Sequence, residues 1–83
     1  MTNEEIQQRL RELIAEVVEV EPELVQDQVN IMTDLGADSM RMIEILARAE
    51  DEFGITIDQS NLGRMVSLDD IREIVQDALA ATA

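Results

Sequence analysis

The chain has 83 residues and a formal net charge of −13 at pH 7, because 19 acidic side chains stand against 6 basic ones, all of them arginine. There is no histidine and no cysteine, which excludes a thiolate or imidazole nucleophile, a disulfide framework and the usual zinc sites. The acidity argues against binding to nucleic acid or anionic membranes, which require a basic surface, and it favours basic protein partners.

A single folded domain over residues 1–83 is predicted by the length and by a hydrophobic fraction of 46%, which is too high for a disordered acidic tail. The first residues are acidic, and the apolar runs are far shorter than the roughly 20 residues of a membrane span. We therefore expect neither leader nor membrane segment, and a cytoplasmic monomer. No catalysis is expected, because the chain has no base of its own to activate a nucleophile.

The first helix is predicted to begin at Thr2, since Thr2 and Glu5 have the spacing of a capping box. It should end between Val20 and Pro22, because the residue before a proline disfavours the helical conformation. Apolar residues recur between these limits at helical intervals, at Ile6, Leu10, Leu13, Ile14, Val17 and Val18.

The last helix is predicted to begin after Ser67, whose spacing to Asp70 is that of a second capping box with aspartate in place of glutamate. Asp69 and Asp70 in its first turn suit the positive end of the helix dipole. Its apolar stripe consists of Leu68, Ile71, Ile74, Val75, Ala78 and Leu79.

The middle helix is predicted over Ser39–Phe53, a stretch without glycine or proline that is followed by Gly54. One stripe suited to a core consists of Met42, Ile45, Leu46, Ala49 and Phe53. A second stripe lies on another side, among acidic residues, and consists of Met40, Ile43 and Ala47. The second stripe is either a wider buried face or a surface for a partner.

The segments between the helices are predicted from their irregular patterns. Residues 55–57 read as an extended connector anchored by Ile55 and Ile57, and a helical turn over residues 59–62 should stop at Gly63. Residues 20–38 are predicted to form a long loop, pinned to the bundle by Val25, Val29, Ile31, Met32 and Leu35. The resulting architecture is all-α, a four-helix bundle of three main helices and one short third helix.

The long loop ends just before the middle helix in the run Asp34-Leu35-Gly36-Ala37-Asp38-Ser39-Met40. Ser39 is expected at the helix start with its hydroxyl in solvent, Asp38 beside it, and Gly36 permitting a close approach. The unpaired N–H groups and the dipole of a helix start favour a phosphate ester there. The alternative is that Asp38 or Ser39 serves only as an N-cap.

The segment Leu35-Gly36-Ala37-Asp38-Ser39-Met40 resembles the phosphopantetheine attachment site of acyl carrier proteins, whose pattern is Leu-Gly-Ala/x-Asp-Ser-Leu. The resemblance extends over the whole chain, including the acidic second helix and its exit at residues 50–55. It implies a non-catalytic carrier on which a separate phosphopantetheinyl transferase attaches 4′-phosphopantetheine to Ser39. Acyl intermediates of fatty acid or polyketide biosynthesis would then be held as thioesters on the thiol of that group.

The resemblance also implies that the second helix is the recognition element for partner enzymes. The partners would be the transferase, acyltransferases, ketosynthases and reductases that carry basic docking patches. The partner face would consist of Met40, Arg41, Ile43, Glu44, Ala47 and Asp51. The resemblance further implies that a growing acyl chain would be sheltered against Met42, Leu46, Phe53, Leu62 and Met65. Ordinary core packing is the simpler interpretation of these residues.

The sequence departs from the family pattern at several positions. Met40 replaces the usual leucine, and Arg41 is expected to place a positive charge in the middle of the partner face, with Arg48 two turns along. Asp58 stands where many members have proline, and Gly63 should shorten the third helix. These departures favour a specialised carrier, for example one that serves polyketide assembly.

Two alternatives remain open within this fold. Peptidyl carriers usually show Gly-Gly-His/Asp-Ser, which the run Gly36-Ala37-Asp38-Ser39 fits less well than the acyl pattern. A carrier-like adaptor that is never modified would bind through its acidic helix alone. Asp34 and Asp38 do not amount to a metal site, so we expect at most a general stabilisation by magnesium or calcium through relief of charge repulsion.

Overall fold

The computed structural model describes residues 1–82, and these form three α-helices and two short 3₁₀ helices without a strand. The α-helices are α1 (Asn3–Val18), α2 (Ser39–Phe53) and α3 (Leu68–Thr82). The 3₁₀ helices cover Pro22–Leu24 and Gln59–Arg64, and the second of them is the short third helix of the bundle. The all-α, four-helix prediction is confirmed. Within residues 1–82, no helix is long and apolar enough to cross a membrane.

The capping boxes at the starts of α1 and α3 are both present. Glu5 N donates to Thr2 Oγ1 at 3.1 Å, and Thr2 N donates to a Glu5 carboxylate oxygen at 3.2 Å. Ser67 N donates to Asp70 Oδ2 at 3.0 Å, and Asp70 N donates to the Ser67 hydroxyl at 3.3 Å. These bonds satisfy N–H groups that have no partner inside the helix, which fixes where each helix begins.

The C-terminal ends of α1 and α2 both use a residue in the left-handed conformation. Glu19 closes α1 at φ 59°, and Gly54 closes α2 at φ 63°. The N–H of Ile55 then donates to the Glu50 carbonyl at 3.1 Å, which completes the closure of α2. The predicted end of α2 at Gly54 is confirmed, whereas α1 ends at Val18, ahead of the predicted limits of Val20 and Pro22, because Glu19 takes the left-handed conformation.

The hydrophobic core lies where α1 packs against both α2 and α3. Ile55 and Ile57 are buried, so the predicted anchors of the connector are confirmed. The large side chains that are almost completely buried come from all three α-helices and from the first loop: Leu10, Ile14, Val17, Val25, Ile31, Ile45, Leu68, Ile71 and Val75. The long loop is therefore part of the core and holds the approach to α2 in place.

Three details differ from the predictions. The first loop contains the turn Pro22–Leu24, which begins at a proline because the fixed φ of proline suits the first helical position. Met32 is 46% exposed and does not anchor the loop on the core. Its neighbour Ile31 takes the buried position, and the N–H of Ile31 donates to the Val66 carbonyl. The second 3₁₀ helix runs through Gly63 to Arg64, because Gly63 does not take the left-handed conformation that ends a helix.

Candidate functional site

Ser39 is the first residue of α2 and is exposed. The N-cap is Asp38, whose Oδ1 accepts from the Arg41 N–H at 2.9 Å and whose carbonyl accepts from the Met42 N–H at 3.1 Å. Of the two capping candidates, Asp38 therefore takes the role. Because Asp38 caps the helix, the hydroxyl of Ser39 makes no hydrogen bond within residues 1–82 and faces solvent.

The turn that leads to Ser39 is held by its backbone. Gly36 has φ 76°, a left-handed conformation that residues with a side chain adopt rarely. A Cβ placed there would meet nothing within 4 Å, so the conformation and not a close approach explains the glycine. The next residue, Ala37, is buried and donates its N–H to the Ile31 carbonyl at 3.2 Å. The segment before Ser39 is thus anchored on the core.

The first turn of α2 carries no acidic side chain, unlike those of the other two α-helices. The acidic residues of the comparable turns are Glu4 and Glu5 in α1, and Asp69 and Asp70 in α3. An acidic side chain in the first turn complements the positive end of the helix dipole. In α2 that complement is absent beyond the cap, so a phosphate ester on Ser39 would meet a favourable dipole without a carboxylate in the same turn.

The two carboxylates considered for metal binding have separate structural roles. Asp34 Oδ2 accepts from the Asn30 N–H at 3.0 Å, and Asp38 caps α2. Within the described part of the chain, no group of three or more acidic side chains is arranged to hold a metal ion.

The second apolar stripe of α2 lies in solvent. Met40 is 74% exposed and Ile43 is 44% exposed, and Glu44, Ala47 and Asp51 are also exposed. The first stripe is buried, since Met42, Ile45, Leu46 and Ala49 belong to the core and Phe53 packs against it. The question left open by the sequence is therefore answered: the second stripe is a surface and not a wider core face.

Arg41 does not lie in the middle of this surface. Its side chain turns towards α1, where Nη1 donates to the Val17 carbonyl at 2.9 Å and Nη2 lies 3.5 Å from a Glu19 carboxylate oxygen. Arg48 likewise turns to α1 and pairs with Glu16 at 3.0 Å. The positive charge expected at the centre of the face therefore lies at its edge, because a free carbonyl and Glu19 at the end of α1 attract Arg41, and Glu16 attracts Arg48.

The proposed cargo residues are divided between the core and its edge. Met42, Leu46 and Met65 are buried, whereas Phe53 and Leu62 are partly buried and pack against the core. Their positions are those of ordinary core packing, which was the simpler interpretation of the stripe.

Sequence reasoning missed the role of Glu50 and two exposed apolar residues. Glu50 stands in the acidic exit of the second helix, but its Oε2 accepts from the Ile57 N–H at 2.8 Å and thereby fixes the connector after α2. Met32 and Val66 are exposed on segments joined by the bond between the Ile31 N–H and the Val66 carbonyl. No local periodicity marks either feature, because the bond of Glu50 depends on how the chain turns after α2, and the other feature depends on a contact between the first loop and the segment before α3.

Comparison with known proteins gives consistent matches. Residues 8–78 match the family model described as the phosphopantetheine attachment site. Over 75 residues the chain is 33% identical to the polyketide-8 synthase acyl carrier protein 2 of Streptomyces avermitilis, which covers 90% of this chain and 86% of that protein.

Two solved structures resemble the fold. The acyl carrier protein from Enterococcus faecalis gives a TM-score of 0.77 at 31% identity, covering 94% of this chain and 99% of that one. A chain in the solved structure of the ishigamide ketosynthase/chain length factor gives a TM-score of 0.75 at 31% identity, covering 89% of this chain and 93% of that one.

Proposed function

We propose, from the premise that the chain belongs to the phosphopantetheine attachment site family of acyl carriers, that Ser39 is the residue which bears the prosthetic group. The chain is a carrier that tethers acyl intermediates of fatty acid or polyketide synthesis. Its prosthetic group, 4′-phosphopantetheine, supplies the thiol that this cysteine-free sequence lacks.

One observation carries the assignment of Ser39: its hydroxyl is exposed and unbonded at the start of a helix whose first turn has no acidic side chain. The other two serines of the chain are Ser60 and Ser67. Ser67 is buried and its hydroxyl is used in the capping box of α3. Ser60 is exposed but lies on the short 3₁₀ helix, with its N–H bonded to the Asp58 carboxylate. Ser39 is thus favoured on both exposure and placement.

The residues around Ser39 fit a phosphate diester. The helix start offers N–H groups and a favourable dipole to the phosphate, while the Asp38 cap keeps the first turn formed. The chain has no histidine or cysteine, and the Asp38 carboxylate beside the serine is used to cap α2, so we expect the base that takes the serine proton to come from the transferase. The role of this chain is to hold the hydroxyl in an accessible and ordered position.

We assign the docking of partner enzymes to the exposed side of α2. Met40 and Ile43 offer an apolar contact, and Glu44 and Asp51 flank it with negative charge around the small Ala47. An apolar centre with a charged rim is the usual anatomy of an interface, and the rim charges select partners with basic patches. Ketosynthases, acyltransferases, reductases and the transferase are the expected partners, and Arg41 lies at the edge of this face.

The assignment of Ser39 is tested by the mass of the intact protein after incubation with coenzyme A and a broad-specificity phosphopantetheinyl transferase. The wild type and the matched control Ser60→Ala should each gain one phosphopantetheine. Ser39→Ala should gain none while its circular dichroism spectrum remains that of the wild type. Loading of Ser39→Ala would contradict the assignment, and a folded wild type that gains no mass would favour the unmodified adaptor. Incubation of the loaded protein with partner synthases that act on aminoacyl cargo would test the peptidyl alternative.

A further inference from the structure

We infer that Arg41 is a positioning residue that holds the first turn of α2, with Ser39 in it, against the C-terminal end of α1. The inference rests on the proposed function of Ser39 and concerns how this chain presents that serine. It differs from the role expected from the sequence, which was a direct contact with partner enzymes.

Arg41 joins the start of α2 to α1 through two different groups of the same residue. Its backbone N–H donates to the Asp38 cap at 2.9 Å, and its guanidinium Nη1 donates to the Val17 carbonyl at 2.9 Å. Ser39 lies between the cap and Arg41 in the sequence. A movement of the first turn away from α1 would therefore break the bond to Val17, and loss of the cap would release the backbone of Arg41 itself.

The end of α1 is built to receive a cation from outside the helix. Its last turn contains no basic side chain, although a cation there would complement the negative end of the helix dipole. The N–H groups of Glu19 and Val20 both bond to the Ala15 carbonyl, so they leave the Val17 carbonyl to another donor. Arg41 supplies both the donor and the charge.

Two carboxylates flank the guanidinium on either side of the seam. Glu19 at the end of α1 lies 3.5 Å from Nη2, and Glu44 on α2 lies 3.9 Å from Nη1. Both pairs are exposed, so their individual contributions are small and are screened by salt. The bond to the backbone carbonyl is the contact that fixes the geometry, and of the two carboxylates only Glu19 attracts the side chain towards α1.

Arg48 provides a matched control on the same helix. It is also partly exposed and pairs with α1, through Glu16 at 3.0 Å, but no hydrogen bond joins it to the backbone of α1 within residues 1–82. It also lies two turns away from Ser39. Replacing either arginine by methionine removes one positive charge and keeps a long apolar side chain. The two variants therefore make the same change in net charge, whereas only Arg41→Met releases the first turn and removes the cation beside Glu44 of the docking face.

Loss of this tie should slow the transfer step of the loading reaction and not the binding of the chain to the transferase. An ordered first turn holds the hydroxyl where a base and a phosphoryl donor can meet it, and small displacements of a reacting group are costly. Without the tie, the first turn of α2 opens more often, because helix ends held by few contacts open locally with little free energy. The kcat of loading should fall, and the KM should follow the change in charge.

The test compares Arg41→Met, Arg48→Met and the wild type as substrates of the transferase with coenzyme A. We expect kcat to fall about fivefold in Arg41→Met and to stay within about twofold of the wild type in Arg48→Met. The KM values report docking and are compared separately from kcat, because Arg41 lies beside Glu44 of the docking face. Arg41→Lys retains a cationic donor and should recover most of the lost kcat. Should Arg41→Met not fold, Arg41→Gln replaces it in the same comparison.

Amide hydrogen exchange gives a second readout that does not depend on loading. The amides of Arg41 and Met42 should exchange about tenfold faster in Arg41→Met and at the wild-type rate in Arg48→Met. Equal kcat values and equal exchange rates in the two variants would overturn the inference. A wild type that is not loaded at all would instead overturn the proposed function of Ser39, so the two failures are distinguishable.

Discussion

The helices α2 and α3 both contain 15 residues and both begin beside a serine and an aspartate, yet they use these residues in opposite ways. At the start of α3, the hydroxyl of the buried Ser67 accepts a bond from the Asp70 N–H. At the start of α2, Asp38 takes the capping role and the hydroxyl of Ser39 is left in solvent. The same local chemistry closes one helix and leaves a reactive group free on the other.

The two helices also differ in the apolar residues that they expose to solvent. Between residues 68 and 81, no large apolar side chain of α3 is among the exposed ones, whereas α2 exposes Met40 and Ile43. The core face of α2 is nevertheless as well buried as that of α3, since Ile45 and Ala49 are completely inaccessible. The large apolar residues of α3 between residues 68 and 81 therefore face the core, while α2 has in addition an exposed apolar pair, to which we assign partner docking.

One pair of substitutions should distinguish the buried face of α2 from its exposed face. Ile45→Ala should lower the free energy of unfolding by about 2–5 kcal/mol, because it opens a cavity in a fully packed core. Ile43→Ala removes an exposed side chain and should change the same quantity by no more than about 0.5 kcal/mol. Urea unfolding of the two variants measures both values. Equal losses would mean that α2 has no free face.

Replacement of each serine by alanine should distinguish the start of α3 from the start of α2. Ser67→Ala should lower the free energy of unfolding by about 1 kcal/mol, since it removes the side-chain cap of α3. Ser39→Ala should change it by less than about 0.5 kcal/mol, because Asp38 caps α2 without the hydroxyl. Both values come from urea unfolding in the same buffer. A loss as large in Ser39→Ala as in Ser67→Ala would show that the hydroxyl of Ser39 is structural.

Added salt should stabilise the whole fold, including α2 and α3, because the net charge of −13 destabilises the folded chain by repulsion. Sodium chloride should therefore raise the free energy of unfolding, by about 0.5 kcal/mol near physiological ionic strength. Calcium chloride at the same ionic strength should stabilise the protein through the same screening and without a saturating site. Titration by calorimetry checks this expectation, and a stoichiometric heat of calcium binding would contradict it.

The smallest effect concerns the start of α1, where a capping box like that of α3 lies in solvent. The N–H and the hydroxyl of Thr2 hold the pKa of Glu5 below its usual value of 4.5. A lowered pKa in the folded state contributes stability above the unfolded value, and that contribution is lost as the pH falls through the folded value.

Acid unfolding of Glu5→Gln tests this contribution. Between about pH 6 and about pH 3, the variant should show a smaller fall of its urea midpoint than the wild type, since its side chain does not titrate. An identical fall in both proteins would indicate that the box does not depend on the charge of Glu5. Thr2→Ala removes the hydroxyl that accepts from the Glu5 N–H. Its urea midpoint should also fall less over this pH range than that of the wild type.

Much of the fold could be predicted because local signals mark the helix limits. The spacing from Thr2 to Glu5 and from Ser67 to Asp70 marked two starts, and Gly54 marked the end of α2. These features depend on hydrogen bonds between residues three to five positions apart, which a sequence displays directly. The two stripes of α2 were also visible, although the sequence did not tell which one faced solvent.

The remaining features depend on how the folded chain is arranged in space, which a single sequence does not display. Arg41 was placed on the partner face because its helical position allowed it, but the free carbonyl of Val17 lies on another helix. Glu50 appeared to be one more surface acid until the connector brought the Ile57 N–H to it. Gly63 was read as a stop signal, although a glycine ends a helix only where it adopts a positive φ.

Fragmentation mass spectrometry of the loaded wild-type protein would locate the phosphopantetheine directly. The group should be found on Ser39 and on neither Ser60 nor Ser67, because Ser39 alone of the three serines combines an exposed, unbonded hydroxyl with the start of an α-helix. A group found on either of the other serines, or on a threonine, would contradict the central role assigned to the start of α2.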